Sequence, residues 1–184
     1  MKTQNIALYI LRLSVTLLLI TGIMAGALAY VNEITADRIA ENKLLKTQKA
    51  LAEVLPGATG MTKTDNGSGI VQAVYTPEAS SAVQGWAVQV APTSGFAGQI
   101  VLMVGVNADK TVSGISVVTH AETPGLGAVS AAKTPAGESF RDSFVGLSGT
   151  VTVSDIDAIS GATITSKAVA EGVSAALAYL EGQG

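Results

Sequence analysis

The residues with the clearest chemical potential form one short motif, Asp-Ala-Ile-Ser-Gly-Ala-Thr at positions 157–163. Residues 150–154 before it alternate polar and apolar side chains as a half-buried strand does, and the residues after it have the spacing of one helix face. The motif is therefore predicted to be a strand-to-helix turn. Ser160 is a plausible N-cap, and Gly161 lets a ligand approach the backbone, so the helix start is a predicted anion site.

Two side chains lie near this predicted anion site. The Thr163 hydroxyl is beside it, and Lys167 follows at an i, i+4 offset that puts both on one side of the helix. Lys167 either pairs with a phosphate on Thr163 or is an ordinary solvated lysine. The motif itself has a second interpretation too, because Ser, Gly and Thr before a helix are common turn and cap residues.

A second motif, His-Ala-Glu-Thr-Pro-Gly-Leu-Gly, occupies positions 120–127. Proline fixes φ and glycine permits positive φ, so Pro124 and Gly125 predict a tight type II turn, while Gly127 lets the backbone pass close to a flat ligand. The alternative is a simple connection after a strand. His120 is the only histidine, and a lone histidine is more often a strand-end residue than a metal ligand. No metal site is predicted.

Composition excludes several classes of function. The chain has 184 residues, no cysteine, a net charge of −3, a pI near 5.1 and a mean hydropathy of +0.43. Scattered basic residues do not make a nucleic-acid footprint, and the lack of cysteine removes disulfides and Cys-ligated metal centres. No general acid, base or nucleophile for substrate turnover is visible. The hydropathy predicts one domain with a segment that meets lipid.

The lipid-facing segment is Leu13–Asn32, which contains no charged residue. At about 1.5 Å per residue, a helix of this length spans roughly 30 Å, the thickness of a bilayer core. A cleaved signal peptide is the alternative, because Ala27-Leu28-Ala29 has the form of a cleavage site. We predict a retained transmembrane helix, since the run is longer than the usual apolar region of about 7 to 15 residues. Basic residues on both sides leave the orientation open.

The remaining chain is predicted to alternate between helix, linker and strands. The pattern predicts an amphipathic helix over residues 35–55, which ends at Pro56-Gly57. This helix is either a stalk or a surface helix that lies on its own sheet. Residues 58–69 are predicted to be a loop or linker. The predicted strands are 70–75, 86–90, 100–106, 112–118 and 151–153, of which 100–106 and 112–118 form an antiparallel hairpin. The predicted fold is α+β with a mainly antiparallel sheet, arranged as an N-terminal segment 1–32, a stalk and linker 33–69, and a domain 70–184.

Three stretches, in this order, resemble one protein family. They are Ser-Gly-Phe-Ala-Gly-Gln-Ile-Val-Leu-Met-Val-Gly-Val at 94–106, Glu-Thr-Pro-Gly-Leu-Gly at 122–127 and Asp-x-x-Ser-Gly-Ala-Thr at 157–163. The family comprises the flavin subunits of the Rnf electron-transport complex and of the sodium-translocating NADH:quinone oxidoreductase. It commonly shows lysine or another residue where Ser94 stands. The short chain and compact loops look more like the Rnf G subunit than the longer quinone-reductase C subunit.

The resemblance implies a covalent flavoprotein. FMN would be attached by a phosphoester to Thr163, by a flavin transferase that uses FAD and Mg²⁺, and Asp157 would belong to the motif that this transferase recognises. The implied cofactor-binding residues are Thr163, Ser160, Gly161, Ala162, Glu122, Thr123, Gly125 and Leu126, with Lys167 as a weaker member. The implied partners are other membrane and redox subunits, and the implied location is the cytoplasmic (inner) membrane with the flavin domain outside the cytoplasm.

The implied role is one relay step between reduced ferredoxin and NAD, coupled to Na⁺ or H⁺ movement, so the chain would be an electron carrier rather than an enzyme by itself. Two other classes of function remain as alternatives. A pilin-type filament protein also places an apolar helix before an α+β domain, but the Gly-Phe processing site and the acidic residue in the apolar helix that such proteins show are missing here. The other alternative is a membrane-tethered module that binds a ligand noncovalently.

Overall fold

The computed structural model describes residues 2–65, 67–78 and 85–182. Outside these ranges lie position 66 of the predicted loop 58–69, position 1 of the predicted N-terminal segment, and positions 79–84, 183 and 184 of the predicted domain 70–184. The helices are α1 (Lys2–Val54), α2 (Pro135–Asp142) and α3 (Thr163–Glu181), and the strands are β1 (Thr62–Asp65), β2 (Val71–Thr76), β3 (Gly85–Val90), β4 (Val101–Asn107) and β5 (Val112–Thr119). The chain divides into two compact units, Met1–Leu45 and Lys46–Gly184.

The first unit is helical throughout the residues that the structure describes. Within α1, the stretch that begins at Leu8 is long and apolar enough to cross a membrane, judged by length and composition. Its hydroxyl groups bond back to the helix: Thr16 Oγ1 donates to Arg12 O at 2.8 Å, and Thr21 Oγ1 donates to Leu17 O at 2.9 Å. A spanning helix must satisfy its polar groups internally, and these two threonines do so.

The second unit is built on a five-stranded antiparallel sheet in which each strand pairs with its neighbour in sequence. This order needs only short connections. The predicted hairpin between β4 and β5 is confirmed, and Asp109 in its turn accepts hydrogen bonds from the backbone and hydroxyl of Thr111 at 3.0 and 2.6 Å. The α+β fold with an antiparallel sheet is therefore as the sequence predicts.

One face of the sheet carries the main core. Strand β4 alternates its side chains between the two faces, and Leu102, Val104 and Val106 point to this one. Helix α3 lies here with a continuous buried stripe of Val169, Val173, Ala176, Leu177 and Leu180, which is the face that the helical spacing predicts. Helix α2 adds Phe140, whose ring stands edge-to-face against that of Phe144 at a centroid distance of 5.3 Å.

The opposite face of the sheet packs against the C-terminal end of α1. Ala50, Leu51, Val54 and Leu55 are buried there with Ala87, Met103 and neighbouring apolar residues. This part of the predicted amphipathic helix therefore lies on its own sheet. The helix ends at Val54, just before the predicted Pro56-Gly57 stop.

Two facing glycines let the end of α1 approach the sheet closely. Gly105 and Gly114 are register partners on β4 and β5. A Cβ atom on Gly105 would lie 2.3 Å from Val54 O, and Ser113 Oγ donates to that same carbonyl at 2.5 Å. The last carbonyls of a helix need partners outside the helix, and the sheet supplies one of them.

Three sequence predictions are wrong in detail. Residues 151–153 do not form a strand: Val153–Asp155 is a short 3-10 helix whose N-cap, Thr152, is in a capping box with Asp155. The fifth strand is β1, which lies inside the predicted loop 58–69. Ser160 does not cap α3, because the N-cap position is Ala162 and no side chain caps it.

Candidate functional site

The candidate site is a cavity of about 320 Å³ where three loops meet the start of α3. Ten residues line it: Phe96, Glu122, Thr123, Leu126, Gly127, Gly161, Ala162, Thr163, Ile164 and Thr165. Eight of them belong to the three stretches that resemble the flavin family, and the other two, Ile164 and Thr165, directly follow the third stretch. Cavities of a few hundred Å³ with a few convergent polar groups are typical of small-molecule sites.

The start of α3 is held by backbone geometry and by a buried serine. Gly161 has φ +75°, a conformation that favours glycine, and the first helical bond runs from Ser166 N to Ala162 O at 3.0 Å. Ser166 Oγ also donates to Ala162 O at 3.1 Å and accepts from Ile159 N at 3.1 Å. Ser166 therefore fixes the motif to the helix that follows it.

The hydroxyl groups in the first turn of α3 differ in exposure. Thr165 and Ser166 are 1% and 0% exposed, and both are hydrogen bonded. The Thr163 side chain is exposed at the first position of α3, and its hydroxyl has no hydrogen-bond partner among the described residues. Within this first turn of α3, Thr163 is therefore the hydroxyl available to a reagent from solvent.

The Pro-Gly loop forms the turn that the sequence predicts. Gly125 has φ +77°, and Leu126 N donates to Thr123 O at 3.1 Å, as in a type II turn. A 3-10 helix, Gly127–Ala131, follows directly. The turn brings Leu126 and Gly127 to the cavity wall, whereas Gly125 itself lies outside the lining.

Apolar side chains at the cavity remain open to solvent. Phe96, Leu126 and Ile164 are 67%, 45% and 52% exposed, although each lines the cavity. Large apolar groups left exposed around a concave site commonly mark a binding surface. Their surfaces suit a flat aromatic ligand better than a small hydrophilic one.

The cavity brings together most, but not all, of the predicted site residues. Glu122, Thr123, Leu126, Gly161, Ala162 and Thr163 line it, and Ser160, Gly125 and Lys167 do not. His120 follows β5 and accepts a hydrogen bond at Nδ1 from Glu122 N at 3.2 Å. Four further lining residues, Phe96, Gly127, Ile164 and Thr165, are not among the implied cofactor-binding residues, although the sequence predicts that the backbone at Gly127 passes close to a flat ligand. The position of Phe96 inside the glycine-rich stretch is the one local signal that could have found it.

Comparison with known proteins points to the same family as the motifs. A family model described as an FMN-binding domain matches residues 95–178, and one described as the RnfG N-terminal region matches residues 1–54. The chain is 33% identical to the G subunit of the Na⁺-translocating ferredoxin:NAD⁺ oxidoreductase complex of Acetobacterium woodii, over 89% of this chain and 88% of that one.

Two further relatives agree. The chain is 33% identical to the G subunit of the ion-translocating oxidoreductase complex of Methanosarcina acetivorans, over 95% of this chain and 96% of the relative. It is 31% identical to the G subunit of the proton-translocating ferredoxin:NAD⁺ oxidoreductase complex of Clostridium ljungdahlii, over 96% of this chain and 92% of the relative. With the FMN-binding domain and the N-terminal region both matched, the chain belongs to the RnfG family.

Proposed function

We propose that this chain carries FMN covalently on Thr163 and acts as an electron carrier in a membrane-bound, ion-translocating ferredoxin:NAD⁺ oxidoreductase complex. Membership of the RnfG family and its FMN-binding domain support the cofactor and the role. The attachment point rests on one observation above all: at the first position of α3, Thr163 presents an exposed hydroxyl to the cavity.

The surroundings of Thr163 fit a phosphate ester. The first N–H groups of a helix have no intrahelical partner, and the positive end of the helix dipole favours an anion. Thr163 is the first residue of α3, so a phosphate on its oxygen lies at that end. Lys167 is an exposed residue one turn later and would add a positive charge on the same side.

The rest of the cavity fits the flavin ring. Phe96, Leu126 and Ile164 offer apolar surface, and the turn at Gly125 presents backbone groups beside it. When bound, the flavin supplies the redox chemistry, and the chain supplies attachment, orientation and tuning. The chain needs no acid, base or nucleophile of its own for this role.

The proposed cellular setting follows from α1 and from the family. A helix long and apolar enough to span a bilayer anchors the chain in the cytoplasmic membrane, as a single-pass protein in contact with lipid. We place the flavin domain outside the cytoplasm. The partners are the other components of the complex, together with a flavin transferase during maturation.

The decisive experiment compares threonine variants after co-expression with a flavin transferase. Thr163→Val keeps the shape of the side chain but removes the oxygen that a phosphoester needs, so we expect complete loss of covalent flavin. Ser160→Ala is the matched control, because it removes another hydroxyl of the same motif outside the cavity lining. Peptide mass mapping and flavin fluorescence after denaturing electrophoresis give the readout.

Two neighbours test the register of the attachment. Thr165→Ala and Ser166→Ala should keep the flavin, although both remove buried hydrogen bonds and should lower the unfolding temperature. Flavin that persists in Thr163→Val would remove Thr163 as the acceptor. Wild-type protein that loses all flavin on denaturation would favour the noncovalent alternative instead.

A further inference from the structure

Glu122 is a buried acidic residue in the wall of the candidate flavin cavity. Its exposed fraction is only 5%. One carboxylate oxygen, Oε2, accepts from Thr165 Oγ1 at 2.6 Å, and the other, Oε1, accepts from Ala97 N at 3.1 Å. Both oxygens therefore accept hydrogen bonds, which is the arrangement that suits an ionised carboxylate.

These two hydrogen bonds join separate parts of the chain. Ala97 belongs to the glycine-rich loop before β4, Thr165 is in the first turn of α3, and Glu122 is in the loop after β5. All three segments border the cavity. The single carboxylate thus fastens the glycine-rich loop and the helix start to the Pro-Gly loop.

Two glycines make room for this carboxylate. A Cβ atom on Gly127 would lie 2.3 Å from Glu122 Oε2, and one on Gly95 would lie 2.9 Å from Oε1. Real Cβ atoms do not approach oxygen so closely, so a side chain at Gly127 would displace the carboxylate, whereas one at Gly95 would meet Gly98 O at 2.4 Å as well as Oε1. The site is therefore shaped around Glu122.

The charge of Glu122 has no cationic partner among the described residues. The ion pair Lys133–Glu53, which lies in the same unit as Glu122, includes no residue that lines the cavity. Burying a carboxylate is costly, and neutral hydrogen bonds offset only part of that cost. A fold that needed only a hydrogen-bonded bridge here would be served by an uncharged side chain.

We propose that Glu122 is the positioning residue of the flavin site and also lowers the midpoint potential of the flavin. This inference rests on the proposed function. Reduction of a bound flavin by an electron from a redox partner would add one negative charge to the site, until a proton from solvent followed. The buried carboxylate of Glu122 in the cavity wall would repel that added charge, and so it would disfavour reduction.

The positioning role is tested without any flavin. In the unmodified protein, Glu122→Ala removes both acceptors, so the amide hydrogen of Ala97 should exchange faster and the unfolding temperature should fall. Glu181→Gln is the control, because it changes an exposed acid at the far end of α3. Unchanged exchange at Ala97 in Glu122→Ala would overturn the positioning role.

The electrostatic role is tested on flavinylated protein by spectroelectrochemical titration. Glu122→Gln keeps the size of the side chain but removes its charge, and the midpoint potential should rise clearly above wild type and above Glu181→Gln. Thr165→Val removes one hydrogen bond and leaves the charge in place, so its potential should stay at or below that of wild type. Thr165→Val therefore distinguishes a change in midpoint potential that is caused by charge from one that is caused by the loss of a hydrogen bond in the site.

Two results would overturn the electrostatic role: an unshifted potential in Glu122→Gln, or equal upward shifts in Glu122→Gln and Thr165→Val. Failure of the proposed function looks different. In that case wild-type protein carries no covalent flavin, whereas the exchange rate at Ala97 still reports on the hydrogen bonds of Glu122.

Discussion

Two glycines two positions apart serve the candidate site for different physical reasons. Gly125 has φ +77° and open space around its Cα, so only its backbone conformation requires glycine. Gly127 is buried, and a Cβ atom there would lie 2.3 Å from Glu122 Oε2 and 2.5 Å from Thr165 Oγ1. The first glycine makes the turn, and the second leaves room for the carboxylate and the hydroxyl.

Substitution at these glycines should separate the two reasons. Gly125→Val places a β-branched residue at positive φ, which costs about 1 to 3 kcal/mol of stability, and the cavity contacts should survive. Gly127→Ala adds one methyl group to a filled site, and we expect a similar loss of about 1 to 3 kcal/mol together with weaker flavin binding. Chemical denaturation and the flavin absorption spectrum measure the two effects.

Either of two results would contradict this view of the loop. A Gly127→Ala protein with unchanged flavin absorbance would mean that the hydrogen bond between Glu122 and Thr165 tolerates a neighbouring methyl group. Unaltered stability in Gly125→Val would mean that the turn does not need positive φ.

At the scale of single residues, the sequence predicts what depends on local geometry. The Pro-Gly pair predicts the type II turn, and the structure has it. The contact of Thr165 with Glu122 joins residues 43 positions apart, and no local spacing reveals it. Serine is a good cap, which is why the sequence favours Ser160 as the N-cap, but α3 begins later in the chain, after the left-handed Gly161.

At the scale of elements, the end of α1 completes the second core of the sheet. The close approach of this helix end to the sheet depends on Gly105, where a Cβ atom would collide with Val54 O and Ser113 Oγ, each at 2.3 Å. The partner glycine across the hairpin is less crowded: a Cβ atom on Gly114 would be 3.6 Å from its nearest neighbour, an ordinary contact. The two glycines are thus a matched pair, and we expect substitution by alanine to affect stability differently at each.

Gly105→Ala should therefore destabilise the domain more than Gly114→Ala. We expect a loss of about 1 to 3 kcal/mol for Gly105→Ala, because the helix end must move off its seat, and a change within about 0.5 kcal/mol for Gly114→Ala. Urea denaturation of the two variants beside wild type gives the comparison. Equal losses would show that the backbone contact of α1 with the sheet is not the limiting feature.

The 3-10 helix before the Ser-Gly-Ala-Thr motif provides a prediction about pH. Asp155 accepts hydrogen bonds from the hydroxyl and the backbone N–H of Thr152, and these lower its pKa below the ordinary value. A lowered folded pKa means that the cap stabilises the fold above the unfolded value of about 3.9 and is lost as pH falls through the folded pKa.

An NMR titration of the Asp155 carboxyl group checks this prediction. Thr152→Val removes the hydroxyl that contributes most, so the pKa of Asp155 should move up towards its ordinary value. The part of the acid-induced loss of stability that Asp155 contributes should then shrink, because its folded pKa approaches its unfolded value. An identical Asp155 titration in wild type and Thr152→Val would contradict the assignment.

The incorrectly predicted strand shows why patterns of a few residues mislead. Alternation over 150–154 is typical of a strand, but Thr152 and Asp155 also have the spacing of a capping box, and the local hydrogen bonds determine the outcome. Strand β1 has the sequence Thr-Lys-Thr-Asp, with no apolar residue to reveal it, and it is a strand because β2 offers an edge. Tertiary pairing overrides local composition here.

At the scale of the whole molecule, a stable domain needs more of the chain than its strands. Ala50, Leu51, Val54 and Leu55 belong to the core, and they lie before the predicted domain start at residue 70. The unit that contains the sheet begins at Lys46. The apolar run of α1 lies in the other unit, so removing it should spare the core.

A protein lacking residues 1–45 should therefore be soluble and folded, whereas one lacking residues 1–55 should be strongly destabilised. The longer deletion removes two buried leucines, each worth about 1.5 to 3 kcal/mol, and it uncovers Ala87 and Met103 on the sheet. Thermal unfolding followed by circular dichroism compares the two deletion proteins. In a separate membrane extraction, we expect the full-length chain to leave membranes only with detergent. A cooperative transition at the same temperature in both deletions would show that the end of α1 is not part of the core, because the loss of a domain's second apolar layer cannot leave its stability unchanged.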